Sequence, residues 1–590
     1  MSSEGGMHGR KRQAKVAGQS EEVLAKARAK EQEGIREFLR LTQAAHEKRS
    51  SKEYDEQAFG ITTTILDSSP DFYTIWNIRR EILNHWLGPM TEEEQQDIMN
   101  KELQFSDLSI RKAPKSYWVW NHRGWILSHH PRPDWGRELK LVTMMLDIDA
   151  RNFHGWDYRR HVVASGNFPA LSEFDFTTKK INQNFSNFSA WQYRAKVIPR
   201  AFPDLAERQK IIEKDFDMVR NAIFTEPADQ SAWLYQRWLL GEDKQQPQIT
   251  SVHGKLDPDG NLILALFLDK EIWVKNSECI QVYAGDGILS THSATKRGYV
   301  TVVHTQLALG GEPALSPLKV VVDHGIFQGS RTGAETSQSV FKIDRIQDVL
   351  AESAVQLRLE QSGVAQEASP VNEIFQSVET WKRELEAIQE LVEVEPDSKW
   401  ALLTVVHIMK RLGCHDQQAI QHLDHLAKID PARKEYYRDY KSHFIANSVS
   451  KDKYDPVTRA MSLGGLGLTT LCPAMGIQDS IQTLQLDVSA NSLRSLDGLH
   501  RFPFAKSVRA ARNGIRSIEG VVDLLELEEL DLSFNEIRTV DGLDPLSQCR
   551  RLSSLHLRGN PIVDAVGHDA LKRELKARIP HLARLDDEAL

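Results

Sequence analysis

Lys115, Arg151 and His154 are the side chains of this sequence whose type and position could do chemistry, and they emerge from comparing copies of a repeat. Five segments share one pattern: Trp76-Asn77-Ile78-Arg79-Arg80, Trp120-Asn121-His122-Arg123, Trp156-Asp157-Tyr158-Arg159-Arg160, Trp191-Gln192-Tyr193-Arg194 and Trp233-Leu234-Tyr235-Gln236-Arg237. Five before the tryptophan stand Asp71, Lys115, Arg151, Ser186 and Ala228, so two consecutive copies carry a cation. Two before it stand Thr74, Trp118, His154, Ser189 and Ser231, a histidine in one copy alone. Both positions fall where a second helix is expected to begin, and a helix start offers unpaired N–H groups and partial positive charge. Lys115, Arg151 and His154 added there would make an anion site suited to a phosphate. Solvated surface cations are the other reading, and spacing alone leaves both open.

Positions filled alike in most copies are scaffold. The tryptophans read as packing between hairpins, because each supplies a large buried area. The arginine three residues later recurs in four copies and reads as an ion pair or cap between neighbouring helices. Three before the tryptophan stand Tyr73, Tyr117, Phe153, Phe188 and Gln230, an aromatic row that also reads as packing. Six before it, Pro70, Pro114 and Pro227 suit a helix's first turn, which places each tryptophan early in the second helix. Steps of 44, 36, 35 and 42 residues between tryptophans fit helical hairpins stacked as a solenoid. A weaker sixth copy, Glu395-Pro396-Asp397-Ser398-Lys399-Trp400, keeps proline and tryptophan but shortens their gap.

Between Trp233 and Trp400 something is inserted. Leu262–Phe267, Tyr299–Val303 and Leu318–Val322 are short β-prone runs between Gly, Pro, Asp and Ser turns, and they read as a small antiparallel, immunoglobulin-like sandwich. Helical sequence resumes and ends near Phe444. Beyond it, Leu527-x-x-Leu530-x-Leu532-x-x-Asn535-x-Ile537 and Leu552-x-x-Leu555-x-Leu557-x-x-Asn560-x-Ile562 match a leucine-rich repeat. Asn491 and Asn513 mark two partial copies, the latter with Ala505, Val508 and Ala510 at the leucine positions. The expected organisation is a mobile arm over 1–20, helical-hairpin solenoid over 21–243, β-sandwich over 244–350, solenoid again over 351–450 and leucine-rich repeats over 451–590: a multidomain, mainly α chain.

Composition excludes several functions. The 590 residues are 26% charged and 41% apolar with a formal charge of -8, so a clustered basic surface for nucleic acid is not expected. No apolar run approaches the roughly 20 residues that span a bilayer, and stable membrane insertion is not expected. Neither a secretory apolar core nor a C-terminal cysteine lipidation box is present; whether Met1 or Met7 starts the chain is open. Cys279, Cys414, Cys472 and Cys549 are dispersed, as in reduced cytoplasmic proteins, and lack zinc spacing. Phosphate-loop, nucleophile-elbow and zincin motifs are absent.

The Trp-x-x-Arg copies from Thr62 to Gly241 resemble the repeats of protein prenyltransferase α subunits. With the inserted sandwich and leucine-rich repeats, the chain is similar to the Rab geranylgeranyltransferase branch of that family. Asn152-Phe153-His154, Asn184-Phe185-Ser186-Asn187 and Met7-His8-Gly9-Arg10 carry the closer match. The farnesyl and type-I enzymes' shared α subunit needs neither appended domain. The resemblance implies an enzyme subunit, active only with a β subunit, that transfers geranylgeranyl from geranylgeranyl diphosphate to C-terminal cysteines of Rab GTPases presented by Rab escort protein. It implies that Lys115 faces the diphosphate, with Tyr117, Arg151, Asn152, Phe153 and His154 lining the same cleft, and Lys115 and His154 acting in catalysis. Phe153 replaces a tyrosine of the farnesyl enzymes. Zinc is expected on the β subunit, with His8 either a further ligand or plug or part of a mobile tail. A non-catalytic repeat scaffold is the alternative from another functional class.

Overall fold

The computed structural model describes residues 21–241, 377–471 and 477–590, together with nine β-strands between residues 249 and 361. His8, the expected N-terminal arm, Cys279 and Cys472 lie outside the described residues. By packing, the chain divides into two units, one ending at Ala201 and one starting at Phe202.

The first unit is helical: α1 (Glu21–Ser50), α2 (Glu56–Ser68), α3 (Tyr73–Leu87), α4 (Glu92–Lys112), α5 (Tyr117–His129), α6 (Trp135–Ile148), α7 (Phe153–Ser165), α8 (Ala170–Gln183) and α9 (Phe188–Ala201). Three of the first helices start on side-chain caps: Asp55, Thr91 and Asp134 each accept a backbone N–H from the first turn, and Thr91 and Glu94 form a reciprocal capping box, whereas α8 follows Pro169 without one. Each register tryptophan is the fourth residue of its second helix and is buried. Its indole N–H donates to the carbonyl six residues earlier, at 2.8 Å to Pro70, 2.8 Å to Pro114, 2.8 Å to Ala150 and 2.7 Å to Phe185. The prolines therefore lie in the turn before the helix, not in its first turn. What the position supplies is a carbonyl, which is why Ala150 and Phe185 serve equally.

Successive hairpins are joined through buried charge. Arg79 on α3 grips Glu102 on α4 at 2.6 and 2.8 Å, and His122 Nε2 on α5 reaches the same carboxylate at 2.7 Å. Arg123 on α5 grips Glu138 on α6 at 2.7 and 2.8 Å, and Tyr158 on α7 donates to it at 2.6 Å. Arg159 on α7 grips Glu173 on α8 at 2.7 and 2.6 Å. Burial opposes ionisation of Glu102, but Arg79 and His122 overcome it and hold its pKa down to about 2. Burial pushes His122 below its ordinary value against the pull of Glu102. An acid stands eighteen residues before four of the five tryptophans, as Glu102, Glu138, Glu173 and, in the second unit, Asp215, while the first copy, with no earlier hairpin arginine to answer, has Ala58.

The second unit opens with α10 (Leu205–Thr225) and α11 (Gln230–Leu239), where Tyr235 donates to Asp215 at 2.5 Å. Next come β1 (Ile249–Leu256), β2 (Leu262–Val274), β3 (Ile280–Ala284), β4 (Gly287–Ser290), β5 (Gly298–Leu307), β6 (Leu318–Asp323), β7 (Gln338–Ile343), β8 (Val355–Leu357) and β9 (Leu359–Gln361). They form two antiparallel sheets, ordered β5-β2-β1-β8 and β4-β3-β6-β7-β9. The three apolar runs picked out in sequence fall in β2, β5 and β6, and pairing continues past residue 350 to Gln361.

Helices resume with α12 (Val378–Val394), α13 (Lys399–Leu412), α14 (Asp416–Ile429) and α15 (Lys434–Lys453). Trp400 is not the sixth register tryptophan. It is the second residue of α13 and half-buried, whereas fully buried Leu402 is the fourth, six after Pro396 and eighteen after Glu384. Spacing from Pro396 locates the true position. Glu384 accepts from Gln236 on α11 at 3.1 Å, so the insertion leaves the hairpin pairing rule intact while glutamine replaces arginine. Burial then raises the Glu384 pKa, with Arg220 and Arg383 only partly offsetting it.

The remaining residues form a sheet of β10 (Tyr454–Asp455), β11 (Ala460–Ser462), β12 (Gln485–Asp487), β13 (Ser507–Arg509), β14 (Glu529–Asp531), β15 (Ser554–His556), β16 (Arg584–Leu585) and β17 (Glu588–Ala589), parallel from β11 to β16. One short strand per repeat stacks over a continuous apolar core. Asparagines link the repeats: Asn535 donates to Ala510 O and Leu532 O, both at 2.9 Å, and accepts from Ile515 N at 3.0 Å. Asn491, Asn513 and Asn560 repeat this arrangement. The degenerate copy closes because Ala505, Val508 and Ala510 are all fully buried, small side chains meeting the same core.

Glu102→Gln, which leaves Arg79 buried without its counter-charge, should cost about 3–5 kcal/mol at pH 7. The folded pKa of about 2 lies below the ordinary 4.5, so the wild-type stabilisation is complete above 4.5 and lost as pH falls toward 2. Thermal unfolding followed by helix circular dichroism should therefore show a flatter acid limb in the variant. Asn535→Ala strands three backbone groups and should lower stability by about 3 kcal/mol, read by denaturant unfolding.

Candidate functional site

The sequence-selected residues gather on one edge of the first unit, where second helices begin. Lys115 lies in the turn between α4 and α5, and Arg151 in the turn between α6 and α7. Between them stands Asp149, which ends α6. Its Oδ2 is 3.2 Å from Lys115 Nζ and its Oδ1 accepts Arg151 N at 3.1 Å. The Lys115 side chain is 48% exposed, so this ion pair is weak and exchangeable. The Arg151 guanidinium is exposed and has no hydrogen bond or ion pair among the described residues. Lys115 and Arg151 are the cations of this edge, with Asp149 between them and Asp71 and Asp157 close enough to act on His154. Ser116 begins α5 without a side-chain cap, so the N–H groups of that first turn still point outward beside Lys115.

Asn152 does structural work. It is buried, its Oδ1 accepts His154 N at 3.1 Å as the cap of α7, and its Nδ2 donates to Pro114 O at 2.8 Å in the neighbouring turn. Pro114 O thus receives Trp120 from its own hairpin and Asn152 from the next, which sets the turns holding Lys115 and Arg151 side by side.

His154 is 6% exposed and brings no cation to the edge. Burial moves its pKa down, against the pulls of Asp157, the Lys115 backbone and Asp71, so the ring is neutral at neutral pH. Tyr117 meets it edge-on at 4.2 Å between centroids and Phe153 lies at 4.0 Å. The ring also lines a groove of about 500 Å³ with Arg80, Trp125, Asp157 and His161.

The aromatic row three before the tryptophans is not buried packing. Tyr73, Tyr117, Phe153 and Phe188 are 47, 63, 49 and 43% exposed. Each is the first residue of a second helix, beyond the reach of the first helix that covers the tryptophan one turn later. Period alone misplaces them, since residues three apart share a helix side. They touch along the edge, Tyr73 with Trp118 at 4.1 Å and Tyr117 with Phe153 at 5.8 Å. The result is an apolar rim beside a cationic pair, chemistry that suits an amphiphile with an anionic head.

The protein prenyltransferase alpha subunit repeat matches residues 99–130, 135–165, 171–201 and 212–243. The chain is 34% identical over 580 residues to the bovine geranylgeranyl transferase type-2 subunit alpha, covering 96% of this chain and 98% of that protein. The human protein of the same name is 34% identical, over 95% of this chain and 97% of its own length. That of Saccharomyces cerevisiae is 36% identical over 40% of this chain and 73% of its own. The solved Candida albicans protein geranylgeranyltransferase-I complexed with GGPP aligns at a TM-score of 0.40 with 16% identity, covering 69% of this chain and 91% of that one. Repeat and near-full-length identity agree: this chain belongs to the family of geranylgeranyl transferase type-2 alpha subunits, and is a prenyltransferase subunit.

Proposed function

We propose that this α subunit works with a β subunit to move geranylgeranyl from geranylgeranyl diphosphate to C-terminal cysteines of Rab GTPases presented by Rab escort protein, in the cytoplasm. The observation that best supports this is the half-exposed Lys115 ammonium beside Arg151, at the uncapped start of α5 and next to an exposed aromatic rim. In the transfer, the bond from C1 to the diphosphate oxygen breaks as sulfur bonds to C1, and negative charge builds on the departing oxygens. Lys115 would leave Asp149 and meet that charge, with Arg151 adding a second positive field and the α5 N–H groups a third. Neutral His154 offers an orienting hydrogen bond. Tyr117 and Phe153 would lie along the first part of the isoprenoid.

The described residues of this chain do not fit a zinc site. No three of its His, Cys, Asp and Glu side chains converge on one, and burial pushes Cys549 up to about 12 and raises Cys414, the reverse of a metal-bound thiolate. Zinc is assigned to the β subunit, and no step here passes through it. The two antiparallel sheets are read as an immunoglobulin-like sandwich and the asparagine-linked parallel strands as leucine-rich repeats, both appended to a helical solenoid whose second part follows β9 and runs from α12 to α15, not from residue 351. No helix among the described residues is long and apolar enough to cross a membrane.

Labelled transfer to a Rab with escort protein should require this chain and the β subunit together; activity from either alone would sink the heterodimer reading. Lys115→Ala in the assembled enzyme should lower kcat by about a hundredfold with little change in KM for the protein acceptor, and Lys115→Arg should recover part of it. Unchanged kcat in Lys115→Ala would remove its assigned role. Asn152→Ala keeps every charge, so it should cost about 1–2 kcal/mol in thermal unfolding and less rate than Lys115→Ala.

A further inference from the structure

The second unit carries a basic column that prenyl transfer does not use. Counting three residues past the first three linking asparagines gives Arg494, Arg516 and Arg538, at steps of 22 and 22 residues, and past the fourth gives Val563. Stacking puts them on adjacent backbones: Arg516 N donates to Arg494 O at 3.0 Å. Neighbouring strands are about 4.8 Å apart, so like charges are held in line at close range, an arrangement that repels itself unless anions answer it.

The column flanks a cleft of about 630 Å³ between α14–α15 and the repeats. Its floor is the position just after each asparagine, Ser492 and Gly514, with Gly467 in the equivalent place of the first repeat. Small residues on three consecutive repeats leave room for a backbone to lie along the floor. Lys441 adds a cation from the opposite wall, from α15.

Against four cations, Arg438, Lys441, Arg494 and Arg516, the cleft's lining holds three half-exposed carboxylates, Asp424, Glu435 and Glu536. Glu435 takes Arg494 at 2.6 Å, Glu536 takes Arg516 at 2.6 Å and Asp424 takes Lys441 at 2.7 Å, with Arg494 and Arg516 68% and 66% exposed. Exposed pairs of this kind hold weakly, so a multiply charged ligand can replace them. Arg538 has no ion pair among the described residues, which carries the positive column beyond the cleft's end.

We propose that this cleft is a docking site for an extended acidic peptide, a run of consecutive Glu or Asp residues lying along Gly467, Ser492 and Gly514 with its carboxylates on Arg494, Arg516 and Arg538. Two steps of about 4.8 Å put the three arginines about 10 Å apart end to end, the reach of about three residues of extended chain at about 3.3 Å each, so a hexapeptide covers all three with residues to spare. A compact anion such as pyrophosphate reaches only one or two of them.

The test is fluorescence anisotropy of a labelled hexaglutamate peptide titrated with the full chain in complex with its β subunit. Expected are saturable binding that weakens as salt rises, a loss of about three- to fivefold for each of Arg494→Gln, Arg516→Gln and Arg538→Gln, and preference for hexalysine in the Arg494→Glu, Arg516→Glu, Arg538→Glu triple variant. Prenyl transfer by that triple variant should stay at the wild-type level, which also reports that the protein is folded. Hexaglutamate binding equal in wild type and triple variant, or no binding at all, overturns the proposal. So does full competition by pyrophosphate at the concentration at which the peptide half-saturates.

Discussion

A buried arginine holding a buried carboxylate of the next hairpin is the constraint on which the helical architecture depends. Arg79 with Glu102, Arg123 with Glu138, and Arg159 with Glu173 are all nearly inaccessible to water. Such pairs repay their desolvation only when every lone pair and proton is satisfied. His122 and Tyr158 complete the set from the following second helix. Each acid is thus tied to two hairpins at once, and a register shift of one residue would leave charge stranded in the core. Apolar packing by the tryptophans provides area; the charged links specify which hairpin face meets which.

That registration makes an edge out of separate turns. Because hairpins are locked at one level, the starts of α5 and α7 lie abreast, and Asn152 can reach from one turn to Pro114 in the other. Lys115, Arg151 and the aromatic rim are therefore placed by a scaffold none of them belongs to. The fifth hairpin shows what the rule tolerates. With Gln236 in the arginine's place, Glu384 keeps a hydrogen bond but not a bidentate cation, and its pKa moves up where that of Glu102 moves down.

The parallel-strand region solves the same problem with neutral groups. Backbone N–H and C=O groups left unpaired where each repeat turns are satisfied by an asparagine, which offers donor and acceptor together. Both devices are periodic polar links inside an apolar stack. Each leaves an outer column free to vary, aromatic at the hairpin edge and basic beside the cleft.

From residue order alone came the helical hairpins, their tryptophan register, the insertion after Trp233, the asparagine spacing and the choice of Lys115, because each rests on a local period or on a residue that breaks one. The acid eighteen residues before the tryptophans of the second to fifth copies was legible too, but only by counting backward from the tryptophan; measured from its arginine the distance varies as the turns vary. That Leu402 and not Trp400 holds the sixth position was legible in the same way, six residues after Pro396. Tertiary structure alone decided that the aromatic row faces solvent, that His154 is buried and neutral, and that Asp149 holds Lys115. Those three outcomes depend on where neighbouring helices stop, and burial and charge pairing are set by chain segments far apart in sequence.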